Sequence, residues 1–133
     1  MSPSTAGAMC RRRTQAARGA GAIACAMMML MDDRLLALLQ RLHDNPPLPG
    51  KDCSEIAEDF AAVAPGRILR ARPANTRMML VPEYGVWAAF EYHEVYVHGG
   101  KVFDPRYSGS PMPEWRYRRM VAERNPGVVI TWS

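Results

Sequence analysis

Three side chains in this sequence combine into a recognisable piece of chemistry, and they follow the chain order Cys53, His93, Asp104. A thiol beside an imidazole becomes a nucleophile, and a carboxylate on the far side of the ring fixes its tautomer and steadies its protonated form. Such a set performs acyl transfer: the sulfur attacks a carbonyl, the imidazole protonates the departing amine, and water or a second amine resolves the thioester. Each residue alone has an ordinary explanation. A cysteine at a helix start usually packs as a small apolar group, a histidine on a strand usually belongs to the core, and an aspartate before proline is often a turn residue. Together they are more specific, because of the elements that must carry them.

The sequence predicts that Cys53 opens a helix. Asp52 is a good N-cap, Glu55 completes a capping-box-like pair, and Ile56, Ala57, Phe60, Val63 and Ala64 form an apolar stripe that Pro65 and Gly66 end. A thiol in the first helical position sits among unpaired backbone N–H groups at the positive end of the macrodipole, which lowers its pKa and offers half of an oxyanion hole. The stripe shares its face with Cys53, so the thiol should point toward the core. Asp52 and Glu55 act against it as negative neighbours, and a cationic histidine is needed to outweigh them.

A hairpin offers that histidine. Alternation from Tyr92 to Val97 reaches Gly99 and Gly100, and Lys101 to Asp104 returns. With the two glycines central to the turn, His98 pairs with Lys101, Val97 with Val102, and Val95 with Asp104. His93 and Asp104 then project on one face as diagonal neighbours, while Tyr92, Glu94, Tyr96 and Phe103 take the other. A slip of one residue would separate the pair.

The remaining pattern is α+β. A leucine-rich helix runs from Asp32 to about His43, with Asp32 and Asp33 at its positive end, and the proline-rich stretch from Asn45 to Gly50 is a stiff connector. Strands are expected at 67–73 and 78–81, a third helix at 114–124 and a last strand within 128–132. His43 and His98 read as exposed structural residues, and Trp87, Tyr92 and Tyr96 as packing. Arg116, Arg118, Arg119 and Arg124 read as a solvated helix face.

The blocks CSEIAEDF from Cys53 to Phe60 and YHEVYVHGGKVFDPRY from Tyr92 to Tyr107 resemble the papain-fold toxin domains at the ends of bacterial polymorphic toxins. They are similar too to the core of the transglutaminase-like superfamily, with Cys, His and Asp-Pro in the same order. The resemblance covers about residues 50–125 and is specific only around 53, 93 and 104. It implies a papain-like core, with the nucleophile helix packed on a small antiparallel sheet behind N-terminal helices. Cys53 is then the nucleophile, His93 the general base and acid, and Asp104 the orienting residue. It also implies a protein substrate, a cognate immunity protein as partner, and an effector acting in the producing or target cell or after secretion. Peptide cleavage, glutamine deamidation and transglutamination share this chemistry and stay open. The other reading is an inactive papain-like module that binds a partner protein. Papain-like enzymes commonly place a Gln before the nucleophile as an oxyanion donor; here the upstream residues are Gln40, Asn45, Lys51 and Asp52, so the second donor stays open.

Length and charge narrow the classes. The 133 residues suit one domain. Of 17 basic side chains, Arg11, Arg12, Arg13 and Arg18 lie in the first 31 residues, which hold no acid, leaving 13 basic against 13 acidic beyond them. The excess charge belongs to the tail, and no nucleic-acid partner is expected. Residues 1–31 read as a disordered or misannotated extension ahead of a 32–133 domain; their apolar run faintly imitates a signal peptide, lacks a small-residue cleavage site, and is short for a bilayer. No membrane, cofactor or metal is expected: Cys10, Cys25 and Cys53 form no CxxC or Cys/His cluster of zinc spacing.

Overall fold

The computed structural model describes residues 20–47 and 52–133. The chain is α+β: helix α1 (Ala20–Asp44), helix α2 (Cys53–Val63), strands β1 (Arg67–Pro73), β2 (Met79–Glu83), β3 (Val86–Phe90), β4 (His93–His98), β5 (Lys101–Phe103) and β6 (Met112–Pro113), helix α3 (Glu114–Arg124), and strand β7 (Ile130–Trp132). Residues 1–19 of the expected extension, and residues 48–50 of the proline-rich connector, lie outside the described residues.

The first helix begins earlier than expected. Residues 22–44 contain no glycine or proline and are rich in Ala, Met and Leu, strong helix formers, so the helix passes through the 31/32 boundary without a break. Asp32 is therefore a mid-helix residue rather than a start signal. Its carboxylate meets His98 Nε2 at 3.2 Å, while His98 Nδ1 donates to Pro65 O at 2.7 Å. Both imidazoles read as exposed are half-buried instead, for His43 Nδ1 donates to Pro105 O at 2.8 Å.

Five strands form an antiparallel sheet in the order β6-β5-β4-β1-β7, and β2 and β3 form a separate hairpin. The β4–β5 register is Tyr96↔Phe103, Val97↔Val102 and His98↔Lys101, the pairing expected from the glycine turn. Gly99 and Gly100 take φ of +59° and +74°, the left-handed conformation that a two-residue turn requires and glycine adopts without strain. Strand parity then sorts the side chains into two cores. On one face Tyr96 and Phe103 pack with Phe60, Ile56 and the α1 leucines Leu35 and Leu39; the Phe60 and Tyr96 rings stack at 5.6 Å between centroids. On the other, Leu69, Val95, Val97 and Val102 meet Tyr117 and Val121 of α3 and Met79 and Val81 of β2. The helices therefore clamp the sheet from both sides.

The α2–β1 link is equally tight. Tyr96 Oη donates to Ala64 O at 2.7 Å, and Gly66 passes so close that an added Cβ would lie 2.5 Å from Val97 O. This contact fixes where α2 leaves the sheet, and so where its first residue, Cys53, comes to lie.

Candidate active site

Cys53 is the first residue of α2. The Asp52 carboxylate accepts from Glu55 N at 2.9 Å, the expected cap. Two contacts staple this helix start to β4: Glu94 N donates to Cys53 Sγ at 3.4 Å, and Ser54 Oγ donates to Glu94 Oε1 at 2.6 Å. Arg70 on the neighbouring strand donates to the same Glu94 oxygen at 2.8 Å. Burial alone would raise the Glu94 pKa, but Ser54 and Arg70 outweigh it and the carboxyl is held below its usual range.

His93 and Asp104 occupy one face, as hairpin parity requires. His93 Nε2 lies 3.0 Å from Asp104 Oδ2, and both side chains are nearly sealed from solvent. With Nε2 turned to the carboxylate, Nδ1 is the nitrogen left for Cys53, which lines the same pocket as the ring. Burial favours the neutral imidazole, yet the Asp104 charge and hydrogen bond, followed by those of Cys53, raise the His93 pKa to about 9. Cys53 follows the complementary logic. Burial pushes the thiol up, while the His93 hydrogen bond and charge, the Glu94 N–H and the Arg106 charge together bring its pKa below the ordinary 9.0. Both shifts act in the direction of a thiolate–imidazolium pair. Asp52 and Glu55 are exposed, so water screens the two carboxylates expected to oppose ionisation.

Two residues that the sequence did not single out complete the carboxylate's surroundings. Tyr117 Oη, on α3, donates to Asp104 Oδ2 at 2.6 Å, and Arg106 N donates to Asp104 Oδ1 at 3.1 Å. Burial and the adjacent carboxylate push the Tyr117 pKa well above 10, which keeps the phenol a donor. The Asp104 backbone oxygen also accepts from Tyr107 N and Ser108 N at 3.1 and 3.0 Å. The 104–108 loop is thus folded around the carboxylate. The Arg106–Tyr107 sequence after Asp104-Pro105 was the available signal; for Tyr117 there was none, because only the docking of α3 brings it here.

A cleft of about 390 Å³ opens at Cys53 and His93, with Met78, Phe90 and Tyr92 as an apolar wall and Arg106 on its lining. Its size is at the lower end for small-molecule sites. Tyr92, expected as packing, therefore lines the cleft, its ring under the Arg70 guanidinium at 4.6 Å. No family model, curated protein or solved structure matches this chain.

Neither upstream amide side chain supplies the second oxyanion donor that the sequence left open. Gln40 Nε2 is spent on the Asp44 carboxylate at 2.9–3.0 Å, Asn45 Nδ2 donates to Arg41 O at 3.2 Å, and Lys51 is outside the described residues. The arginines of α3 are not simply solvated: Arg118 lies 5.2 Å over the Trp132 ring and Arg124 5.1 Å over Trp87. Among the described residues, no cluster of three His, Cys, Asp or Glu could hold a metal ion, and no helix is long and apolar enough to cross a membrane.

Proposed function

We propose that this protein is a cysteine-dependent acyl-transfer enzyme with a papain-like arrangement of nucleophile helix and hairpin. The observation that carries the reading is the buried set Cys53, His93 and Asp104, with His93 hydrogen-bonded to Asp104 and both Cys53 and His93 lining one cleft. In this reading the Cys53 thiolate forms an S–C bond to a substrate carbonyl carbon and the carbonyl π pair moves to oxygen. Collapse of that intermediate breaks the C–N bond, and His93 passes its Nδ1 proton to the leaving nitrogen. Neutral His93 then takes a proton from water as it attacks the thioester, and Cys53 leaves as thiolate. Asp104 stays ionised throughout, holding the ring by Nε2.

The product depends on which amide enters: peptide cleavage for a backbone amide, deamidation for a glutamine side chain, transamidation when an amine replaces water. A protein substrate, an effector role and a cognate immunity protein belong to the same proposal, supported by the sequence blocks around 53, 93 and 104. The test is the rate of iodoacetamide labelling of Cys53 against pH, localised by peptide mass spectrometry. The labelling midpoint is expected below that of free cysteine, and His93→Ala is expected to raise it. A midpoint at or above the free value, unchanged by His93→Ala, refutes the enzyme reading.

A further inference from the structure

We propose that Glu94 is a positioning residue for Cys53, its carboxylate pinning the start of the nucleophile helix to β4 so that the sulfur is delivered to His93; this rests on the acyl-transfer reading above. The fold makes such a pin necessary. His93 projects from β4 on the side of Val95, toward α3, whereas α2 packs on the opposite side, against Tyr96. Nucleophile and base therefore approach from different faces of one strand. They meet at its end, where His93 is the first residue of β4 and Cys53 the first of α2. The far end of α2 is anchored by the Tyr96–Ala64 hydrogen bond and by the close passage of Gly66. An 11-residue helix is about 16 Å long, so a tilt of about 4° about that anchor displaces Cys53 by about 1 Å. A misplacement of that size costs about 100-fold in rate.

Two pairs of consecutive residues oppose the tilt. Cys53 and Ser54 meet His93 and Glu94 in the same order: Glu94 N donates to Cys53 Sγ at 3.4 Å, and Ser54 Oγ donates to Glu94 Oε1 at 2.6 Å. Glu94 shares the face of Tyr96, the one that α2 covers, so its N–H and its side chain hold successive residues of the first helical turn. The carboxylate is itself fixed. Arg70, its partner in the β1–β4 register, donates to the same Oε1 at 2.8 Å, and the Glu94 side chain is only 12% exposed. The same guanidinium lies 4.6 Å over the Tyr92 ring, which lines the cleft. One acceptor atom thus ties the nucleophile helix, the sheet and the cleft wall into a single frame, the rigid support that a precisely placed nucleophile needs. Glu94 lies outside the residues lining the cleft, so it acts on the reaction through Cys53.

The test compares the pH dependence of iodoacetamide labelling of Cys53 in wild type, Glu94→Ala, Glu94→Gln and Ser54→Ala, together with the melting temperature of each. Positioning and a through-space effect of the carboxylate have opposite signs. A negative neighbour disfavours the thiolate, so removing its charge alone lowers the midpoint. Releasing the helix start takes the sulfur away from His93 and from the Glu94 N–H, so it raises the midpoint. Glu94→Ala and Ser54→Ala are expected to raise it by about one pH unit, the scale of losing a hydrogen bond to a charged group. Glu94→Gln keeps an oxygen for Ser54 and Arg70 and is expected to return the midpoint to the wild-type value or below it. Ser54→Ala leaves the Asp52 cap and the Arg70 pair in place, should Glu94→Ala fold poorly. With wild-type Cys53 titrating below free cysteine, a midpoint that stays put or falls in Glu94→Ala and Ser54→Ala overturns the positioning role alone, whatever their melting temperatures. A wild-type midpoint at or above that of free cysteine, unchanged by His93→Ala, overturns both this role and the acyl-transfer reading.

Discussion

The Asp104→Asn substitution tests the electrostatics of the site most directly, because it removes one charge and nearly preserves shape. His93 is sealed from solvent, and its pKa is raised from an ordinary 6.5 to about 9 because the Asp104 charge and hydrogen bond, aided by Cys53, outweigh the burial that would lower it. The rise is about 2.5 units, or about 3 kcal/mol at ~1.4 kcal/mol per unit. A raised folded-state pKa contributes stability that is complete below the unfolded value of 6.5 and is lost as pH rises through about 9. Asparagine can still accept from Tyr117 but brings no charge, so burial prevails and the His93 pKa falls below 6.5. At pH 8 the imidazolium fraction should drop from about 90% to about 3% or less. The protein has only three histidines, so the imidazole C–H resonances can be followed individually by NMR titration. Denaturant unfolding gives the matching energy: the deficit of Asp104→Asn should be about 3 kcal/mol larger at pH 6 than at pH 10. A wild-type His93 that titrates at or below 6.5, or a midpoint that the substitution leaves in place, refutes this account.

Tyr117→Phe removes a buried 2.6 Å hydrogen bond to a charged carboxylate and should cost about 2 kcal/mol in denaturant unfolding. The carboxylate, sharing its charge with one donor fewer, should pull harder on the imidazole, so the His93 midpoint in the same NMR titration should rise rather than fall. Gly66→Ala places a methyl group 2.5 Å from Val97 O, and because that oxygen is backbone the sheet itself must move. A loss of about 2 kcal/mol, read as a lower melting temperature, is expected, and an unchanged one would contradict the close approach described at the end of α2.

Much of the site's frame can be read from local rules. Asp52 announces the helix that carries Cys53, and the Gly99–Gly100 turn fixes the parity that puts His93 and Asp104 on one face. These are signals within a few residues of the feature they specify. What local pattern does not carry is the third dimension of packing. Tyr117 reaches Asp104 only because Val121 and its own ring dock on Val95 and Val102. Tyr92 follows the alternation of the hairpin, but it precedes β4, and the cleft beside it depends on the β2–β3 hairpin folding apart from the main sheet. The early start of α1 was obscured for another reason: the run from Ala22 to Met31 is apolar on all sides, and without an amphipathic stripe it resembles a leader rather than a surface helix.

The 104–108 loop is where the two cores are joined. His43 brings α1 to it through Pro105 O, Tyr117 brings α3 to the Asp104 carboxylate, and Glu83 and Tyr84 bring the hairpin to Arg106. The helix pair under one face of the sheet and the helix and hairpin over the other thus share a single fastening, and a segment opening on either side must release bonds that serve the other. Amide exchange should accordingly find α1, α3 and this loop opening as one cooperative unit, and the Asp104 carboxylate losing its geometry only when that whole unit gives way.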